Sequence, residues 1–123
     1  MKEKDFQRTF NHWVKEVYKK TAAFELKYTK TDSLPFSVVA GHQEDALMQV
    51  KHGVFVFKIP DMGYQNPYDC FCLSYQKAFI VIKYLSFFCL IDIDVWVEEQ
   101  KISYRKSLTS KRAREIAYLI VDN

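Results

Sequence analysis

Apolar positions recur every three or four residues between residues 3 and 20. Phe6, Phe10, Trp13, Val14 and Val17 fall on one side, and Lys4, Arg8, Lys15 and Lys19 on the rest, the period of an amphipathic helix. The period then drops to two. Ala22 to Tyr28 reads as a strand, with Glu25 and Lys27 projecting from one face and Phe24 and Leu26 from the other. After a polar loop from Thr29 to Ser33, residues Pro35 to His52 return to a helical pattern, with a cap expected near Ser37 and a stop at Gly53. Val39, Gln43, Ala46 and Val50 form the inner stripe of that helix, so Gln43 interrupts an apolar face. A buried amide needs partners, which are either backbone groups or a functional site.

Gly53 to Ile59 alternates as a strand, and Asp61 to Pro67 reads as a loop. Tyr68 to Leu73 and Ala78 to Tyr84 flank Ser74 to Lys77 and are expected to pair as a hairpin. Phe87 to Ile93 is a further strand, running into a short helix over Val95 to Gln100 with Asp94 as its cap. Asp92 and Asp94 share a strand face and could hold metal, although a strand end and a cap are the plainer roles. A basic helix from Lys111 to Ala117 and a closing strand from Tyr118 to Val121 complete the chain. No linker or repeat divides it, so residues 1–123 are expected to form a single domain of α/β (α+β) class.

With 123 residues, 49% of them apolar, the chain is long enough to bury a core without disulfides. Three cysteines, Cys70, Cys72 and Cys89, are an odd number behind no signal-peptide pattern. They suit reduced thiols and a cytoplasmic location. Cys70 and Cys72 would share a strand face and could hold zinc with a histidine, but packing as small hydrophobes is the commoner fate. No uncharged run, the apolar Tyr84 to Ile91 included, is long enough to cross a bilayer, and no membrane partner is expected.

A formal charge of +3 says little about partners, but its distribution says more. Lys101, Arg105, Lys106, Lys111, Arg112 and Arg114 crowd a stretch that contains no acid. Such a cluster neutralises phosphates, or else forms a solvated face. Lys30 and Thr31, in the hydroxyl-rich loop after the first strand, are further candidates for phosphate contact.

The acid and lysine at 25 and 27 carry the candidate chemistry. A carboxylate that helps hold a divalent cation, beside a lysine that aligns water and offsets growing negative charge, is what metal-assisted phosphodiester cleavage requires. The tripeptide alone is weak, because acid-x-Lys also occurs at Glu99-Gln100-Lys101. Context separates the two: the first has a strand-like apolar frame, a small polar loop, a proline and a helix with an inward polar residue.

Phe24-Glu25-Leu26-Lys27, then Thr29 to Phe36 with its Ser-Leu-Pro-Phe, then His42-Gln43, resemble the RecU-like (penicillin-binding-protein-related factor A) and Hjc-type Holliday junction resolvases of the PD-(D/E)xK nuclease superfamily. The likeness covers about residues 22 to 59 well and the leading helix passably. It extends to the Leu90 to Asp94 strand in pattern only. It implies a restriction-endonuclease-like core with helices around a central mixed sheet, Mg2+ (or Mn2+), and hydrolysis by an activated water. On the same likeness Glu25 is a metal-ligating acid, Lys27 the motif lysine, the Leu26 carbonyl a third metal contact, and Gln43 the helix glutamine that completes the site.

The departure lies in the first acid, for which the stretch before Glu25 has no aspartate and no room for a hairpin. Pro67-Tyr68-Asp69, a strand, a turn and Val81-Ile82-Lys83 have the layout of the missing hairpin, with valine in place of the acid. Asp69 is therefore expected to join Glu25 on one cation, from a hairpin relocated after the second helix, with Lys83 helping or replacing Lys27. Gln7 falls where the family has an accessory acid, although Glu3, Asp5 and Gln7 could all reach a site.

The leading expectation is a Mg2+-dependent, structure-selective endodeoxyribonuclease. It would act on four-way or other branched DNA in recombination and repair, as a homodimer whose interface draws on the many Phe and Tyr residues. The expected DNA contacts are Lys30, Thr31, Lys83, Arg105, Lys106, Lys111 and Arg112. Two alternatives stand beside it. One is a catalytically inactive DNA-binding or assembly protein with a nuclease-like fold, and the other a small cytosolic protein whose Glu25 and Lys27 are only a surface ion pair.

Overall fold

The computed structural model describes residues 3–59 and 69–122. The loop expected at Asp61 to Pro67 and the Pro67-Tyr68 pair lie outside these residues. The order is α1 (Glu3–Trp13), a π-turn (Val14–Tyr18), β1 (Ala22–Tyr28), β2 (Ser33–Pro35), a 3-10 turn (Phe36–Val38), α2 (Gly41–His52), β3 (Val54–Lys58) and β4 (Cys70–Ser74). There follow β5 (Lys77–Lys83), β6 (Phe87–Asp92), α3 (Ile93–Ile102), β7 (Ser107–Thr109), α4 (Ser110–Ile116) and β8 (Leu119–Asp122). Among the described residues no helix is long and apolar enough to cross a membrane.

The central sheet runs β1-β5-β6-β8 and is mixed, with β1 parallel to β5 and the other pairs antiparallel. A parallel pair needs a long crossover, and here α2 and the β3–β4 hairpin supply it. Ala78 to Lys83 are all buried, as expected of a strand paired on both sides and covered on both faces. One face carries Ala78, Ile80 and Ile82 against α2, α3 and α4, with Leu47, Val50, Trp96, Leu108 and Ala113 in one cluster. The other carries Phe79 and Val81 against α1, with Phe6, Phe10, Phe88 and Leu90. Phe10 meets Phe24 edge-on at 4.9 Å and Phe88 at 5.7 Å. Much of the aromatic content expected to form a dimer surface is thus spent beneath α1.

Three local expectations are corrected. The hairpin drawn between the strands at 68–73 and 78–84 does not form: β4 pairs antiparallel with β3, and β5 pairs with β1 and β6. Tyr75, at φ 54 in the left-handed region, lies in the turn from which β5 runs beside β1. The second helix begins at Gly41 rather than near Ser37, because Ser33 to Pro35 pair with β7 and a 3-10 turn follows. The cap of α3 is Asp92, whose carboxylate accepts from the Asp94 N–H at 2.9 Å, so the helix starts two residues earlier than expected.

Asp94 instead joins α3 to α2. Lys51 Nζ lies 2.6 Å from both Asp92 and Asp94, and His52 Nε2 lies 2.8 Å from Asp94. Burial alone would raise the Asp94 pKa, but hydrogen bonds to Lys51 and His52 outweigh it and hold the carboxyl below its ordinary 3.8. Burial likewise opposes the Lys51 charge, yet its two aspartates carry it above 10.5. A depressed acid contributes stability above its unfolded pKa and loses it as pH falls through the folded value; a raised lysine loses its contribution as pH climbs through its own. The Lys51–Asp94 pair therefore stabilises fully between about pH 4 and pH 10. Asp94→Asn is expected to cost no more than about 1 kcal/mol at pH 7, given the exposure of the pair. Urea titrations should show the difference from wild type shrinking below about pH 4.

Candidate active site at the free edge of β1

Alternation along β1 sends Ala23, Glu25 and Lys27 toward α2, while Phe24 and Leu26 pack with the α1 cluster. Glu25 Oε1 lies 3.4 Å from Lys27 Nζ, and their side chains are 28% and 18% exposed. Gln43 sits in the first turn of α2. Its Oε1 accepts from the Ala40 N–H at 2.9 Å, and this fixes the amide so that Nε2 donates to Glu25 Oε1 at 2.8 Å. The interrupted stripe of α2 is explained on both counts: Gln43 ties down the helix start and aims the carboxylate. Both contacts fall on Oε1, and Oε2 accepts no hydrogen bond from any described residue.

β1 is an edge strand of the central sheet. The Thr29 N–H donates to the Lys83 carbonyl at 3.1 Å, so by alternation the backbone groups of Lys27 and Glu25 also face β5. Those of Leu26 face away, and its carbonyl stands on the unpaired side beside the Glu25 carboxylate. Two clefts meet at this edge. One, of about 470 Å³, is lined by Glu3, Gln7, Asn11 and Lys15 of the α1 side together with Glu25 and Leu26. The other, of about 330 Å³, is lined by Glu25, His42, Gln43, Phe55, Phe57 and Phe71.

Asp69 is exposed, and its carbonyl accepts from the Ile59 N–H at 2.8 Å. By alternation its side chain shares a face with Phe71 and Leu73, which line the cleft that holds Glu25. Lys83 departs from its expected role. Its partner in β1 is Tyr28, on the face opposite Glu25 and Lys27. It is buried, with Nζ donating to the carbonyls of Tyr84 and Leu85 at 2.7 and 3.2 Å. Burial lowers its pKa. It ties the β5–β6 turn and neither supports Lys27 nor faces a phosphate.

The other expected DNA contacts lie around the ladder of β2 and β7. The β2–β7 ladder joins the Thr29–Ser33 loop to residues 107–109, and the Ser110 N–H donates to the Asp32 carbonyl. This register brings exposed Lys30 to the Lys111 end of the ladder, beyond the end of β1 that carries Lys27, while exposed Arg105 and Lys106 flank its other end beside Pro35 and Ser37. Thr31 is exposed, but its hydroxyl already donates to the Ser33 carbonyl at 2.8 Å. Arg112 is committed elsewhere, forking onto buried Glu99 at 2.9 and 3.0 Å. That bond raises its pKa, and the pairing holds α4 to α3.

Sequence reasoning gave one wall of the site too little weight and missed another. Glu3 lies one helical turn before Gln7 and lines the same cleft, a spacing of four that sets it above Asp5 as the acid on that side. The aromatic wall of Phe57 and Phe71 carried no signal, because its position depends on β3 and β4 pairing.

Among the described residues no three His, Cys, Asp or Glu side chains gather to hold a metal ion. Mg2+ does not require such a cage, since it keeps several waters and takes one or two carboxylates plus substrate phosphate. The free Oε2 of Glu25, the outward Leu26 carbonyl and the Glu3 carboxylate in the same cleft are hard oxygen donors that fit it.

Val81, where the family layout has an acid, is fully buried against α1, on the face away from Glu25. Val81→Asp should therefore not supply a ligand. It is expected to destabilise the fold by several kcal/mol through burial of an unpaired carboxyl, read as a lowered urea midpoint. Comparison with protein-family models, curated proteins and solved structures finds no match to this chain.

Proposed function

We propose that the chain is a Mg2+-dependent, structure-selective DNA endonuclease that cuts branched DNA such as a four-way junction, with a restriction-endonuclease-like PD-(D/E)xK core. The observation that carries this reading is Glu25, held between Gln43 and Lys27 on a free sheet edge that runs into a basic face.

In the proposed chemistry Glu25, the Leu26 carbonyl and the Glu3 carboxylate would hold the cation, with Asp69, just ahead of β4, proposed as a further acid. A divalent cation held there would supply polarisation of the scissile phosphate and a more acidic bound water. Lys27 positions the attacking water and offsets negative charge as the phosphorus becomes five-coordinate. Gln43 keeps the Glu25 carboxylate from rotating, a supporting contact of the kind that tunes metal ligands. Lys30, Arg105, Lys106 and Lys111 grip the flanking phosphates and fix the register of the strand. A homodimer would set two such sites on opposing strands of a junction. A DNA-binding protein without catalysis is the second reading, favoured by Val81 standing where the resemblance expects an acid.

Labelled four-way, nicked and linear duplexes incubated with Mg2+ or with chelator test both readings. Wild-type protein is expected to cut the junction only in Mg2+. Glu25→Gln should lose on the order of 10²-fold or more in rate, and Gln43→Ala about 10-fold. Asp69→Asn with unchanged cutting and metal affinity removes Asp69 from the site. Junction binding without cutting supports the second reading.

A further inference from the structure

Phe57 of β3 and Phe71 of β4 are register partners whose rings lie 5.4 Å apart at 39°. Phe55 continues the row, 6.1 Å from Phe57. Phe55 and Leu73 pack against the main core, but Phe57 and Phe71 remain 48% and 46% exposed. The core therefore does not account for them. They line the same cleft as Glu25, Gln43 and His42.

The opposite bank of the β1 edge carries Glu3, Gln7, Asn11 and Lys15 beside Phe10 and Val14. A backbone path over Glu25 thus has one ammonium, two amides and the Glu3 carboxylate, a donor for the cation, on one side and flat apolar rings on the other. This division matches single-stranded nucleic acid, whose phosphates seek positive and hydrogen-bonding groups while its bases stack on aromatic faces. In a duplex those base faces are covered by their neighbours, and an enzyme reaches one only by taking the base out of the stack.

We infer that Phe57 and Phe71 form a stacking platform for an unpaired base next to the scissile phosphate, so that the substrate is DNA with a locally unstacked strand. This rests on the nuclease reading and narrows it: branch points, gaps and frayed ends offer such a base, and continuous duplex does not. The argument needs no base-specific hydrogen bond, because every base has a π face.

The test measures binding in chelator, where cutting is blocked, by fluorescence anisotropy of labelled oligothymidylate and of a duplex of equal length. Phe57→Leu and Phe71→Leu keep apolar bulk but lose the ring. Each is expected to weaken oligothymidylate binding about 10-fold, with duplex binding unchanged and an unaltered melting curve. Phe71→Trp guards against a leucine variant that fails to fold: it should bind at least as well as wild type, and its added indole emission should be quenched by the oligonucleotide. Wild-type affinity in the leucine variants, an equal loss for duplex, or an added indole emission blind to the oligonucleotide overturns the platform. Failure of the nuclease reading looks different. In that case the protein cuts nothing in Mg2+, whether or not oligothymidylate binding depends on Phe71.

Discussion

The parallel pairing of β1 with β5, on one side only, is the constraint from which the rest of the candidate site follows. β5 is closed in by β1, β6 and both helical layers, so it offers only packing. Among the described residues β1 has one partner, and its other side faces two clefts. A carboxylate on a fully enclosed strand would have to lose its charge or find a matched partner. At this edge Glu25 stays partly hydrated, steadied by an ammonium and an amide, with a backbone carbonyl turned outward beside it.

Gln43 joins the fold to the proposed chemistry. The same amide satisfies the Ala40 N–H at the start of α2 and reaches the carboxylate on the neighbouring strand. The start of α2 and the orientation of Glu25 are therefore one structural fact. A similar economy holds at the other end of α2, where Lys51 and His52 meet Asp92 and Asp94 at the start of α3. The helix that carries Gln43 is fastened at both ends, which limits how far its amide can drift from β1.

Local patterns in the sequence were enough to place β1, β6 and α4 to within about a residue, because each has a short period bounded by polar or capping residues. They were enough to single out Glu25, Lys27 and Gln43, because an amide on an apolar stripe and an acid on an alternating strand are visible without a partner. Pairing was less legible. The short turn between β4 and β5 looks like a hairpin, and only the left-handed backbone at Tyr75, a residue type that does not advertise it, accompanies the departure. Which face Lys83 occupies, and that Arg112 is taken up by Glu99 thirteen positions earlier, depend on neighbours that no local period encodes.

The span of the β1–β5 ladder also bears on how the protein comes into being. Ala22 pairs with Lys77, 55 positions downstream, so closing the ladder carries the entropy of a long loop, and folds built on such distant contacts form slowly. During synthesis β1 leaves the ribosome with nothing to pair with, exposing Phe24 and Leu26 until β5 emerges. The edge proposed to act on DNA is not assembled until β5, ending at Lys83, has emerged, so a polypeptide shorter than that would have no means of attacking nucleic acid beside the ribosome.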